Sequence, residues 1–336
     1  MPNSSSSAVA VVFELEGFLV APASMPFLFL LLLCDFLVAL LGNGAVLVAV
    51  VMDRRLWQPM FVLMLNLALV DLLGAAAVCP RLLAHMLFTD RSQRYISHAQ
   101  ALLQAFAVHT YGITVQTVLA AMAYDRYVAV CQPLRYHSIM TSARLFWLCF
   151  WSWVSALILV GILFAFHIGT RFCGTLIQHV YCSNRGLLSL SCEPSPANNY
   201  YGLAMTYLVS TTVFLITAFS YTRILMAAVW TRHRPGRSGL DAAQTRSKAI
   251  QTCCSHLVVY VVYNVASVII IISYRLPPFA VTPNVKKLFT ALAIILPPAL
   301  NPIIYGLVSR ELRAALYRQL RRAVPSRGRR TVPKRH

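Results

Sequence analysis

The sequence predicts an all-α membrane protein, a seven-transmembrane helix bundle with an amphipathic interfacial helix at its C-terminal end. Two observations carry this. Of the 336 residues 58% are hydrophobic and only 12% charged, with a mean hydropathy of +0.66, and a water-soluble chain of this size needs far more charge to cover its surface. Apolar stretches of the roughly 20 residues needed to cross a bilayer then recur seven times along the chain. They fall near 27–52, 59–87, 99–130, 145–166, 200–229, 252–273 and 288–307. In lipid every backbone N–H and C=O must find a partner, which a helix achieves alone. The stretches are too long and too evenly apolar for the strands of a membrane barrel.

The elements follow in order. Residues 1–26 form an N-terminal tail, 27–308 the seven-span domain, and 309–336 a helix with a basic tail. Residues 1–25 hold no Lys or Arg, so no cleaved leader is expected and the first span is expected to act as the signal anchor. Asn3 opens the triplet Asn3-Ser4-Ser5, a glycosylation acceptor on that tail. The first span is interrupted by Asp35 and Asn43, and a carboxyl at Asp35 is costly in lipid unless it faces the bundle. The longest outer loop, near 169–199, carries Cys173, Cys182 and Cys192, and three cysteines in one oxidising loop leave one over. The loop near 231–247 is short and basic, with Pro235, Gly236 and Gly239 marking a turn. After the last span, Leu312, Ala315, Leu316 and Leu320 share one helical face opposite arginines, the pattern of a helix lying on the membrane.

Charge sets the orientation. With the N-terminus outside, inner segments hold 21 Lys and Arg and outer segments 7, Arg81 within the second span uncounted, as the positive-inside rule requires. The net charge of +19 sits at membrane boundaries, without a folded basic domain for nucleic acid, and suits an inner face meeting anionic lipid. The nine histidines and nine cysteines show no HExxH or paired CxxC spacing, so neither an enzyme nor a metal nor a cofactor is expected. A transporter or channel should show internal repeats and interrupted spans, and none is visible.

Polar groups inside the spans mark a second layer. Asn43, Asp71 and Asn301 are expected to face the bundle interior and bond one another. Pro302 removes a helix hydrogen bond and permits a kink beside Asn301. The third span closes at the inner boundary with Asp125-Arg126-Tyr127, an ion pair whose arginine can exchange partners, as a switch needs.

Taken whole, the string from Met122 to Tyr136, MAYDRYVAVCQPLRY, resembles the signature of vertebrate odorant receptors within the rhodopsin-like G-protein-coupled receptors. Further matches come in that family's order: Gly42-Asn43, Pro59-Met60-Phe61, the run 66–72, Ser220-Tyr221, Lys248-Ala249, Thr252-Cys253, Ser255-His256-Leu257, and the run from Pro298 to Tyr305. The resemblance covers roughly residues 27–315 and implies a plasma-membrane receptor. Its partners would be a small-molecule odorant, membrane lipid and a heterotrimeric G protein of the stimulatory, cAMP-raising type. Asp71, Asp125, Arg126, Tyr127, Tyr221, Asn301, Pro302 and Tyr305 would carry coupling. A non-olfactory rhodopsin-like receptor for a lipid or peptide stays open as the alternative.

Ligands of helical bundles sit between helices in mostly apolar cavities. Helical spacing back from Arg126 nominates Val108, His109, Gly112 and Ile113 on the third span; Met205, Thr206 and Ser210 join from the fifth, Asn264, Ser267 and Ile271 from the sixth, Ala291 and Ile295 from the seventh. No amine-binding aspartate is among them.

The chain also departs from the family. Ala101 stands where a cysteine usually tops the third span, so the bridge from there to the outer loop cannot form. The resemblance then implies a Cys173–Cys192 disulfide, Cys182 as a free thiol, and an outer loop held to the third span by packing alone. Val115 replaces a mid-span glutamate, which argues against a sodium site at Asp71, and Asn264, preceded by Tyr263, falls where the sixth span usually has an aromatic residue.

Overall fold

The computed structural model describes residues 12–88, 94–230, 257–265, 267–268 and 282–323. Each apolar stretch within these residues winds into a helix, since only helices pair their own backbone groups in lipid. They are α1 (Met25–Met52), α2 (Pro59–Leu87), α3 (His98–Cys131), α4 (Ser142–Ala165), α5 (Pro196–Trp230), α6 (257–265) and α7 (Pro283–Val308), followed by α8 (Arg310–Ala323). Among the described residues six helices are long and apolar enough to cross a membrane, and α6 holds the sequence position of the remaining span. Proline in the first turn starts α1, α2 and α7, where its missing N–H costs nothing. A capping box between Ser97 and Gln100 starts α3, and the Thr141 hydroxyl, accepting from the Arg144 N–H, starts α4. Among the six described membrane-length helices α3 is the most buried, the axis of the bundle, and α1 the least.

The end of the bundle bearing the N-terminus, outer in the orientation the charges predict, carries a small sheet that the helical pattern does not foretell. Strand β1 (Val12–Leu15) lies between β2 (Tyr95–Ser97) and β3 (Leu176–Ile177), antiparallel to the first and parallel to the second. Part of the expected tail is therefore built into the fold, with Phe13 and Leu15 fully buried.

At the opposite end α8 is partly docked rather than simply floating on the surface. Leu312 and Ala315 are buried against the bundle, whereas Leu320 remains exposed. Arg318 reaches Asp53 at 2.5 Å and Gln319 reaches the Val48 carbonyl at 3.2 Å. The bond from Arg318, with a smaller one from the Arg55 N–H, holds the Asp53 carboxyl below its usual range. Asn3, Ile271, the loop 231–247 and the tail beyond 323 lie outside the described residues.

Candidate functional site

At the inner end of α3, Asp125 is fully buried and both its oxygens are taken. Arg126 Nε donates to Oδ2 at 2.9 Å, with a second contact from its Nη2, and the Tyr136 hydroxyl donates to Oδ1 at 2.7 Å. Burial, then the neighbouring Asp125 charge, raises the Tyr136 hydroxyl above its ordinary value, so it stays a donor at neutral pH. Arg126 is anticipated by the motif; the part played by Tyr136, ten residues further along, is not. Tyr221 packs with Ala123 and Ile224 beside this pair, against Tyr127.

A second seam joins α1, α2 and α7. Pro302 has no N–H, so the carbonyl of Pro298, four residues earlier, lacks its helical donor. Asn43 Nδ2 supplies one at 2.8 Å while also bonding the Ala39 carbonyl at 2.8 Å. Gly42 makes the approach possible, because a Cβ there would lie 2.6 Å from the Pro302 ring. Asn301 Nδ2 donates to Asp71 Oδ2 at 2.7 Å. The expectation that Asn43, Asp71 and Asn301 bond one another thus needs correction: two of them do, and Asn43 serves the orphaned backbone instead. Asn66 ties α2 to α4, accepting from Trp153 Nε1 at 3.3 Å. Tyr305 is buried in the same core.

In the outer half, Val108, Ala291 and Ile295 share a core with Tyr111 and Tyr263. Ile113 and Met205 instead pack with Ala156, Val160 and Leu163 between α3, α4 and α5. Tyr263, not Asn264, is the inward aromatic of α6. Its hydroxyl donates to the Gly112 carbonyl at 2.8 Å, and its ring meets Tyr111 edge-on at 6.4 Å. One residue turns a helix by about 100°, so an offset of one exchanges a lining residue for its neighbour. Three polar groups expected at the site bond the preceding turn of their own helix: Thr206 to Gly202 at 2.7 Å, Asn264 to Tyr260 at 2.8 Å and Ser267 to Tyr263 at 2.9 Å. Asp35 keeps one buried oxygen without a hydrogen-bond partner among the described residues. A cavity of about 620 Å³ lies elsewhere, between α3, α4 and α5, lined by Thr117, Tyr124, Trp147, Trp151 and Ile216 among others. Trp147 and Trp151 are half exposed on the bundle's outer surface, so this cavity opens toward lipid rather than into the bundle.

The outer loop closes the top. Cys173 and Cys192 are bonded, and Cys182 is a buried free thiol. Burial pushes that thiol up to about 12. The loop is not held by packing alone. The Cys182 N–H donates to Gln104 Oε1 at 2.9 Å, and Gln104 Nε2 donates to the Ala77 carbonyl at 2.8 Å, linking loop, α3 and α2. His109 Nε2 accepts from the Asn184 N–H at 3.3 Å, so the histidine expected to meet a ligand also supports the loop. The Asn184 side chain is itself fixed, accepting from His167 at 2.7 Å and donating to Asn198 at 2.7 Å.

Comparison with known proteins agrees with this architecture. The sequence model of the olfactory receptor family matches residues 32–323. Human olfactory receptor 2K2 is 32% identical over 305 residues, 91% of this chain and 92% of that protein. Human olfactory receptor 10A6 is 32% identical over 320 residues, 95% and 96% of the two chains. The crystal structure of squid rhodopsin superposes with a TM-score of 0.71 over 92% of this chain and 91% of its own, at 17% identity, a likeness of fold.

Proposed function

This chain belongs to the olfactory receptor family, and on that premise we propose that it binds a small-molecule odorant between the outer halves of its helices and activates a heterotrimeric G protein of the stimulatory, cAMP-raising type. It is a multi-pass receptor and not an enzyme. In this reading it sits in the plasma membrane with its N-terminus outside, as the excess of inner Lys and Arg supports.

The observation that carries the proposal is the arrangement around Asp125, a buried carboxylate held by Arg126 and Tyr136 at the inner end of the central helix. An arginine only 15% exposed at a water boundary, bonded to its own neighbour in sequence, is free to trade that carboxylate for an incoming partner. Ligand would act by favouring one of two bundle states, and the G protein would read the other end. The contact from Tyr263 to Gly112 links α6 to α3 at ligand depth, so a molecule wedged there changes the relation of the two helices. The pocket would draw on Val108, His109, Gly112 and Ala291 with Tyr111 and Tyr263 added. Ile113, Met205, Thr206, Asn264 and Ser267 would shape its walls.

The test is a cAMP assay of the full-length receptor, with surface level measured in parallel, against a broad panel of volatile odorants. A concentration-dependent rise that is absent in mock-transfected cells supports the proposal. Silence to all odorants together with a response to a lipid or peptide would replace it with a non-olfactory receptor function.

A further inference from the structure

Ala101, near the start of α3, offers no thiol for a bridge to the outer loop, and Cys182 of that loop is a free thiol. We propose that the N-terminal strand β1 is the tether that positions the loop in place of a covalent bridge. In the sheet order β2-β1-β3, the strand leading into α3 and the strand of the outer loop are not paired with each other; among the described residues β1 lies between them and pairs with both. Its inward side chains, Phe13 and Leu15, pack in one apolar cluster with Ala101 and Cys182, the two positions a bridge would have connected. All four are 0–1% exposed.

The strand continues into anchors on the loop and on α7. The Glu16 N–H donates to the Ile177 carbonyl at 3.0 Å and the Gly17 N–H to the His179 carbonyl at 3.1 Å. Lys287, at the start of α7 and only 2% exposed, pairs with the Glu16 carboxylate and donates to the Gly17 carbonyl at 2.9 Å. A buried ammonium is tolerable only when paired, so the N-terminal segment and α7 require each other. The Leu19 N–H donates to Asn284 Oδ1 at 3.2 Å one step further. Gly17 has a φ of +70°, and a Cβ there would meet the His85 ring at 2.5 Å, so only glycine lets the chain turn down onto this face. Phe13, Leu15, Glu16 and Gly17 are thus positioning residues: they act on the ligand site through the loop they hold.

The experiment uses purified full-length receptor in detergent and needs no odorant, no coupling and no membrane orientation, so its failure is distinct from failure of the proposed function. First, Val12→Cys is combined with Ser97→Cys. These residues are opposite one another in register, at the separation of antiparallel neighbours, about 4.5–5.5 Å between Cα atoms, within disulfide range. Non-reducing peptide mapping should find them joined; finding both alkylated overturns the proposal. Second, Phe13→Ser should raise the alkylation rate of Cys182 in folded receptor about tenfold or more, with Cys173–Cys192 intact; an unchanged rate overturns it. Third, Ala101→Cys added to Phe13→Ser should bond to Cys182 and restore the yield of monodisperse receptor. This last arm decides the case if Phe13→Ser alone does not fold. Recovery supports a tether whose role a covalent bridge can take over; no recovery, with the bond to Cys182 formed, means that β1 does something other than hold the loop.

Discussion

Asn43 donates its side-chain amide to the carbonyl of Pro298 at 2.8 Å, the carbonyl that Pro302 leaves without a helical donor. One residue of α1 thereby completes the backbone of α7 at one of its three internal prolines. Asn43→Leu, close in size but with no donor, should cost about 1–3 kcal/mol, the penalty for an unsatisfied buried carbonyl. The measurement is the melting temperature of purified receptor. Gly42→Ala should lower it as well, since the new methyl collides with the Pro302 ring. Melting of Asn43→Leu at the wild-type temperature would mean that the proline carbonyl is satisfied another way.

That seam also shows how far the sequence could be read. The spans are legible because lipid admits one solution for a long apolar run. Asn43, Asp71, Asn301 and Pro302 stand out because polar groups and proline are costly there. Their pairing is less legible, since it depends on which carbonyl proline orphans, a matter of backbone and not of side-chain character. Tyr263 is displaced by one from Asn264 because the rotation of α6 is set by its packing on Tyr111 and Gly112. Strand β1 is hidden for a different reason: Val12–Leu15 is a single short run, and its partners lie at Tyr95–Ser97 and Leu176–Ile177, far along the chain. The proposed ligand pocket is the least legible part, because Thr206, Asn264 and Ser267 satisfy themselves on their own helices and advertise nothing.

The pair Asp125–Arg126 yields a prediction on signalling. Arg126→Ala should abolish the ligand-dependent cAMP rise while leaving surface level largely intact, because among the described residues the side chain bonds its own neighbour in sequence, Asp125. Tyr136→Phe removes the 2.7 Å bond to Asp125 but spares the ion pair. It should raise basal cAMP by loosening the hold on Asp125. Unaltered odorant responses from Arg126→Ala at matched surface levels would exclude the switch role.

His109 links loop and helix, which predicts a change in potency. His109→Ala removes one hydrogen bond, to the Asn184 N–H, worth roughly 1–2 kcal/mol, and should shift agonist potency about tenfold to higher concentration. The maximal response should stay near wild type, since the coupling end is untouched. Dose–response curves that superpose for every agonist would reduce His109 to packing.

The outer cap should weaken in acid. Burial, and behind it the charge of Lys287, pulls His179 down to about 4 from its ordinary 6.5. The folded cap holds this histidine neutral, whereas a lifted cap lets it take a proton below about 6.5. Its contribution to stability is therefore complete above that pH and is lost as pH falls toward 4. His167 is also lowered by burial, partly offset by its bond to Asn184, and acts in the same direction. Melting temperature followed from pH 7.5 to 4.5 should fall less steeply in His179→Gln than in wild type. Parallel curves would place the acid sensitivity in other groups.

The three loop cysteines give the most direct chemical test. Cys173 and Cys192 are bonded and enclose a segment of about twenty residues, which loop entropy values at roughly 3 kcal/mol. The measured gain should be smaller, because the ends of the segment are already paired through the Cys192 N–H and the Arg171 carbonyl at 2.9 Å and through the bridge from Phe172 to Ser191. Cys182 lies between them in sequence but sits in the cluster beneath β1, and burial pushes its thiol up to about 12, leaving little thiolate to attack the disulfide. Alkylation of native receptor at pH 7.5 should therefore spare Cys182, and alkylation after unfolding without reductant should capture it. Non-reducing peptide mapping should then give one linked pair, Cys173 with Cys192. A linked peptide containing Cys182 beside an alkylated Cys173 or Cys192 would show that the loop exchanges its bonds. The cap would then be a set of interchanging cross-links rather than one closed loop resting on a strand.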